Sequence, residues 1–352
     1  MNIKSAYLEI TNQCNLNCKT CYNRSGLNRT VKELTLEQIK HTIAVLSDMG
    51  CSRFLFAGGE PLLHSAFDGL LAWIKEKPDL LFGIVTNGTI YSQQLIDSYQ
   101  ACENIDLQIS LDGSCEESNS KIRGRGNFAK TERFLKAIRH ASKRPLVKMV
   151  ISNSNLDDVA DFYGYVLKMG GIPEYAFINK MGNGSKDWEN KVLSGGQKFQ
   201  VFQLINELNH QHGENVFLPE CSFGCPMDLE DNPFSFLVKV NGDIQPCQLL
   251  YDECFTLTNI FTFQEKQMEK NLKKISDLVS KRANTPQEHC DKCFLQSGCK
   301  KGCLAAAYNY SNDPLGPDGD CQFRIQQFIH YHLNKQSVMS AGYLETKEIN
   351  KI

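Results

Sequence analysis

The first 180 residues alternate short apolar runs with segments of helical periodicity, and this alternation constrains the fold more than any other feature. Six runs predict strands at Ser5–Ile10, Arg53–Ala57, Leu81–Val85, Ile105–Leu111, Leu146–Ile151 and Tyr175–Ile178. Strands separated by helices form parallel sheets with right-handed crossovers. We therefore predict an α/β fold. Periodicity alone leaves a partial barrel and a doubly wound sheet both open.

The segments between and after these strands predict helices, a linker and a C-terminal tail. Thr35 begins a helix with Gln38 three residues later, the spacing of a capping box. Further helices are predicted near Phe67–Glu76, 128–142, 155–169, 197–210 and 322–333. Residues 182–220 are polar and Gly-rich before their helix, so we interpret them as a linker and helix. The polar tail, residues 335–352, is expected to be mobile.

Charge and composition narrow the class of protein. The net charge is −2 with no basic tract, which gives no indication of nucleic-acid binding. The N-terminus leads directly into a strand pattern, and no apolar run has the length of a membrane span, so neither a signal peptide nor a membrane segment is predicted. Fifteen cysteines without a secretion signal indicate metal clusters and a cytoplasmic, oxygen-sensitive protein.

Cys14, Cys18 and Cys21 form a Cys-x3-Cys-x2-Cys motif just after the first predicted strand. Four thiolates complete a cubane iron–sulfur cluster, so three leave one iron open to a small molecule. Zinc sites also use short cysteine intervals, and a three-cysteine zinc knuckle is the alternative. Tyr22 follows the motif and Gly58-Gly59-Glu60-Pro61 ends the second apolar run, which the zinc interpretation leaves unexplained.

These residues resemble the radical SAM superfamily, whose open iron chelates S-adenosylmethionine (SAM) and whose chemistry generates a 5′-deoxyadenosyl radical. The resemblance implies a partial (β/α)6 TIM-like barrel. It also implies a set of cofactor-binding residues: Tyr22, Gly58, Gly59, Glu60, Asn87, Ser110, Asp112 and Arg123. Arg125 competes with Arg123 as the carboxylate contact. A helix N-terminal charge is the alternative role of Glu60, and a turn position that of Asn87.

All of these motifs follow predicted strands. In parallel α/β folds the carboxyl ends of the strands form the edge where functional residues collect. The independent motifs are therefore expected to converge on one face of the sheet.

A second group of cysteines after residue 220 resembles the SPASM extension of radical SAM enzymes, a small cysteine-rich domain that binds auxiliary clusters. The resemblance implies one cluster on Cys290, Cys293, Cys299 and Cys321. It implies another on Cys221, Cys225, Cys247 and Cys303, with Cys254 as an open substitute. Two structural zinc ribbons are the alternative.

Three 4Fe-4S clusters are thus expected in all, one binding SAM and two auxiliary. The expected organisation is a radical SAM barrel over 1–181, the linker and helix over 182–220, the SPASM domain over 221–334 and the tail.

The resemblance to the SPASM group implies an oxidoreductase that modifies, and crosslinks, a ribosomally synthesised precursor peptide, with a flavodoxin- or ferredoxin-type reductant. The first cluster cysteine is residue 14, so we expect leader binding by a separate protein or none at all. Gln248 stands where sulfatase-maturing enzymes have an aspartate, which argues against formylglycine formation. A small-molecule radical dehydrogenase and a non-catalytic cluster protein are the alternatives from other classes.

Overall fold

A single sheet of nine strands organises the protein, in the order β6-β5-β4-β3-β2-β1-β7-β8-β9. The computed structural model describes residues 3–26, 30–220, 222–225, 227 and 234–339. The strands are β1 (Ile3–Thr11), β2 (Arg53–Gly58), β3 (Leu81–Thr86), β4 (Ile105–Ser110), β5 (Leu146–Ile151), β6 (Ile172–Phe177), β7 (Phe234–Val238), β8 (Asp243–Gln245) and β9 (Thr258–Asn259).

Strands β1 to β6 are parallel, and the end strands β6 and β9 are not neighbours, so the barrel is open. This confirms the predicted partial barrel. Strand β6 begins at Ile172, three residues before the predicted start at Tyr175. The difference arises because Glu174 interrupts the apolar pattern, and its side chain pairs with Lys148 of the neighbouring strand.

Twelve helices lie in the described part of the chain. They are α1 (Leu36–Asp48), α2 (Phe67–Lys75), α3 (Gln93–Ala101), α4 (Glu116–Arg123), α5 (Asn127–Ile138), α6 (Val159–Lys168), α7 (Trp188–Lys191), α8 (Gly195–His212), α9 (Glu265–Asn284), α10 (Glu288–Asp291), α11 (Leu304–Ser311) and α12 (Cys321–Met339). None of the described helices is long and apolar enough to span a membrane.

The predicted capping box of α1 is confirmed, since Thr35 and Gln38 bond reciprocally to each other's backbone N–H. Other expectations differ. Helices α3, α4, α9 and α11 have no counterpart in the sequence prediction, although in α9 Met268, Ile275 and Val279 bury one face. Helix α12 continues to Met339, so residues 335–339 of the predicted tail are helical, and residues 340–352 lie outside the described part.

The C-terminal region is built onto the same sheet as the barrel. Strand β7 pairs in parallel with β1, while β8 and β9 add antiparallel ladders. The hydroxyls of Ser5 and Ser235 lie 2.9 Å apart across the β1–β7 pair. Helix α8, from the predicted linker, packs on α12 through Phe202 and Phe323. The linker is therefore a packed helix between two regions that share one sheet.

Aromatic side chains hold β2 and β3 against their helices. The Phe82 ring stacks on Phe54 and Phe56, with centroids 6.1 and 5.8 Å apart, and meets Trp73 of α2 edge-on at 6.3 Å. Phe82 is 1% exposed, whereas its neighbour Leu81 is 44% exposed. The core on this side of the sheet thus depends on Phe82.

We expect Phe82→Ala to lower the free energy of unfolding by about 3–5 kcal/mol, because it removes a buried ring and leaves a cavity. Leu81→Ala, one position away, is the matched control and should change it by less than about 0.5 kcal/mol. Chemical denaturation followed by circular dichroism measures both. Equal effects of the two substitutions would contradict the packing described here.

Candidate active site

The three cysteines of the N-terminal motif line one cavity of ≈ 230 Å³ at the carboxyl edge of the parallel strands. The loop after β1 places them there, with Cys14 buried and Cys18 and Cys21 half-buried. Other predicted cofactor residues line the same cavity: Tyr22, Gly58, Gly59, Asn87, Ser110 and Arg123. The structure therefore brings together residues from the ends of four successive strands, as expected from the motif positions.

The donor set of this cavity fits an iron–sulfur cluster. Burial raises the pKa of Cys14 to about 12 and that of Cys18 to about 11. These thiols would ionise only beside a strong positive charge such as a metal centre. Within the described residues, no Asp or Glu lines the cavity, and no three His, Cys, Asp or Glu side chains are arranged to hold one metal ion. This is compatible with a cubane cluster, because its thiolates bind different irons and need not converge on one metal ion.

Gly58 and Gly59 dock the end of β2 against the cysteine loop. The Gly59 N–H donates to Thr11 O and the Glu60 N–H to Gln13 O, both at 2.7 Å. A Cβ at residue 59 would lie 1.9 Å from Gln13 O, and Gly58 has φ +123°. Glycine is therefore required here for close backbone packing, in addition to any approach by a ligand.

Glu60 lies beneath the cavity and does not line it. Its carboxylate accepts from Thr86 Oγ1 and from the Asn87 N–H at 2.7 Å each. It also accepts from the Leu62 N–H at 3.4 Å, as the cap of a short 3₁₀ turn. Burial raises the Glu60 pKa to about 7. In this structure Glu60 positions Asn87, and its alternative interpretation as a helix N-terminal residue also applies.

Asp112 likewise acts through a neighbour. Ser110 and Asp112 are both predicted cofactor-binding residues, but β4 ends at Ser110, and Asp112 is fully buried beyond it. One Asp112 oxygen accepts from the Val150 N–H at 2.8 Å, and the other lies 2.8 Å from Arg123 Nε. Ser110 lines the cavity and Asp112 does not.

Arg123 is thereby aimed at the cysteines. Arg123 Nη1 lies 4.0 Å from Cys18 Sγ. Burial alone would lower the pKa of Arg123. The pKa is nevertheless raised, because Asp112 and, to a smaller extent, the Cys18 sulfur favour the cation. Arg125, the competing residue, is exposed and does not line the cavity. The geometry favours Arg123 as the ligand-facing arginine.

Several polar residues of this cavity were missed by the sequence analysis. Tyr7, Gln108 and Lys148 extend into it from the barrel strands, and Gln248 reaches it from the C-terminal region. Lys148 pairs with Glu174 at 2.9 Å. Polar residues at alternate positions of β4 and β5 were the available signal, because such residues face the interior of a barrel.

Four of the C-terminal cysteines line a separate cavity of ≈ 640 Å³. They are Cys290, Cys293, Cys299 and Cys321. This is the set that the SPASM resemblance assigns to one auxiliary cluster. The structure brings the four together from α10, the loop after it and the start of α12.

A second group forms around Cys247. Burial raises the pKa of Cys247 to about 12 and that of Cys303 to about 11, and Cys225 lies near enough to raise both further. Cys254 is exposed and contacts Asp252 and Tyr308 instead. Cys221 lies outside the described residues. The structure thus favours Cys225 over Cys254 as a companion of Cys247 and Cys303.

Arg282 of α9 supports the loop between the two cysteine groups. This fully buried guanidinium donates to Gly316 O at 3.0 Å and to Gly302 O at 2.9 Å. It also donates to the carbonyls of Lys300 and Lys301. These carbonyls belong to the segment between Cys299 and Cys303, so α9 holds both cysteines in place.

Comparison with known proteins agrees with this geometry. Residues 8–166 match the radical SAM superfamily. The mycofactocin maturase MftC of Mycolicibacterium smegmatis is 26% identical over 324 residues, which cover 89% of this chain and 81% of MftC. An AdoMet-dependent heme synthase of Methanosarcina barkeri is 27% identical over 347 residues, covering 90% of this chain and 95% of the synthase.

The fold also matches a solved structure. Streptococcus suis SuiB, solved bound to the precursor peptide SuiA, superposes with a TM-score of 0.71 at 15% identity, covering 90% of this chain and 75% of SuiB. Together with the cysteine motif and its cavity, the family match identifies residues 8–166 as a radical SAM domain, and the cysteine-rich C-terminal region fits the SPASM type.

Proposed function

We propose that this enzyme modifies a ribosomally synthesised precursor peptide and installs a crosslink in it. The observation that carries the proposal is the cavity shared by the two regions. One side has the three cysteines and the SAM-facing residues, and Gln248 of the C-terminal region closes another side. A substrate held there would meet both regions at once.

The residues of the cavity fit SAM and a 4Fe-4S cluster. Cys14, Cys18 and Cys21 would hold the cluster, and Gly58, Gly59, Asn87, Ser110 and Arg123 would contact SAM. When bound, the pair supplies reductive cleavage of SAM and hydrogen abstraction from the substrate. The chain itself orients the reactants and excludes water, with Asp112 holding Arg123 and Glu60 holding Asn87.

Two auxiliary clusters complete the proposal. Cys290, Cys293, Cys299 and Cys321 would fully ligate one, as their common cavity supports. Cys225, Cys247 and Cys303 would hold the other together with Cys221. Fully ligated clusters pass electrons, which suits an oxidative crosslink. A flavodoxin- or ferredoxin-type reductant, a cytoplasmic location, and leader binding by a separate protein or by none belong to the same proposal.

A small-molecule substrate is the second candidate, and the similarity to a heme synthase favours it. The similarity to MftC, named as a maturase, and to SuiB, solved with a precursor peptide, favours the peptide. Formylglycine formation is not supported, because the residue after Cys247 is Gln248, an amide that cannot serve as a carboxylate base.

The iron content of the protein reports the number of clusters. After anaerobic reconstitution, the wild-type chain should hold about twelve irons and form 5′-deoxyadenosine from SAM and dithionite. Cys18→Ala should lose about four irons and all cleavage, while Cys51→Ala, a buried cysteine outside every motif, should match the wild type. About four irons plus zinc in the wild type would contradict the auxiliary clusters.

SAM affinity tests the role of Arg123. Arg123→Lys should weaken SAM binding about tenfold or more, because a lysine cannot reproduce the fork that Asp112 orients. Asp112→Asn should act in the same direction. Arg125→Lys is the matched control and should leave the dissociation constant unchanged. Isothermal titration calorimetry on the reconstituted protein measures it, and an equal loss in both arginine variants would contradict the assignment.

Co-expression with a precursor peptide tests the substrate. If a short Cys- or aromatic-rich peptide is encoded next to the gene, co-expression with it should yield a peptide lighter by two hydrogen atoms per crosslink, seen by mass spectrometry. The Cys18→Ala enzyme supplies the control and should leave the peptide mass unchanged. SAM cleavage with an unmodified peptide would instead direct the search to small molecules.

A further inference from the structure

Glu9, near the carboxyl end of strand β1, receives hydrogen bonds from both regions of the protein. It is 3% exposed, and desolvation raises its pKa. The Tyr22 hydroxyl donates to Glu9 Oε1 at 3.0 Å, and the Tyr251 hydroxyl donates to Glu9 Oε2 at 2.8 Å. Asn23 Nδ2 adds a contact to Oε1 at 3.3 Å. Each carboxylate oxygen thus serves a different region.

The two tyrosines lie next to cysteine-bearing segments. Tyr22 directly follows Cys21 of the N-terminal motif, and Tyr251 comes four residues after Cys247. Their rings meet edge-on with centroids 6.3 Å apart. Lys239 of the C-terminal region lies 4.7 Å above the Tyr251 ring. The carboxylate and the two rings form a direct bridge between the N-terminal cysteine loop and the segment 247–251.

This bridge is costly to break at its carboxylate. Glu9 is buried, whereas the two tyrosines are half-buried, and a buried carboxylate that loses a donor is not fully compensated by water. Removal of either phenol would take one hydrogen bond from the carboxylate, and removal of Glu9 would take one from each phenol. A shift of Tyr251 is therefore expected to shift Tyr22 and the cysteine loop beside it.

We propose that Glu9 is a positioning residue that couples the two cysteine-bearing segments. By holding Tyr22 against Tyr251, it makes the placement of the N-terminal cysteine loop depend on the order of residues 247–251. A cluster bound by the loop then has its surroundings set in part by the C-terminal region. The mechanical part of this coupling is a property of the chain itself and does not depend on the proposed substrate.

Hydrogen exchange on the cluster-free protein tests the coupling without reference to activity. Tyr251→Phe should speed amide exchange in residues 14–23 about fivefold or more, although residue 251 is remote in sequence. Tyr175→Phe is the matched control. Its buried hydroxyl donates to Val159 O at 3.1 Å, away from the bridge, so exchange in residues 14–23 should be unchanged. Unchanged exchange in Tyr251→Phe would overturn the proposal.

A reduction potential separates positioning from a merely structural role. In the reconstituted enzyme, Glu9→Gln should raise the midpoint potential of the cluster whose EPR spectrum responds to SAM, because a nearby carboxylate becomes an amide. Tyr22→Phe and Tyr251→Phe should shift it as well, and their effects should not add, since both act through Glu9. Full iron content with an unshifted potential in all three variants would refute the coupling.

Failure of this proposal is distinguishable from failure of the proposed function. A chain without radical chemistry could still show the exchange effect in its cluster-free form. Conversely, an active peptide maturase with independent segments would show crosslinking with no response of residues 14–23 to Tyr251→Phe.

Discussion

The active-site geometry depends on the contact between the cysteine loop and the end of β2. Two backbone hydrogen bonds, Gly59 N–H to Thr11 O and Glu60 N–H to Gln13 O, hold these segments so closely that no side chain fits between them. Glu60 then extends the contact to the end of β3 through Asn87. Three successive strand ends are locked in this way, and the cysteines are presented on a rigid base.

The sequence predicted the parts of the fold that local patterns encode. Alternating apolar runs located six strands, because a buried parallel strand is continuously apolar. The cysteine and glycine motifs located the cavity, since all of them follow strand ends. The role of Gly59 was only half predicted. Glycine permits the approach of a ligand and of another backbone alike, and a sequence does not distinguish the two.

The missed features all depend on distant partners. The sequence shows carboxylates at Glu60 and Asp112, but their direction is set by Asn87, Val150 and Arg123, which belong to other elements. Gln248 enters the cavity only because β7 brings the C-terminal region beside β1. Helix α9 was not predicted because its exposed face is strongly charged. Its few apolar residues form a buried face only when the helix packs against the cysteine loops.

The pairing of β7 with β1 has a consequence for how the chain can be divided. Strand β1 lies in the interior of the sheet, hydrogen-bonded on both sides, and its outer neighbour comes from the C-terminal region. A fragment that ends after β6 would leave the main-chain donors and acceptors of β1 that now face β7 as an unpaired strand edge. Such edges recruit strands from other molecules. The cysteine-rich region therefore also protects the barrel from self-association.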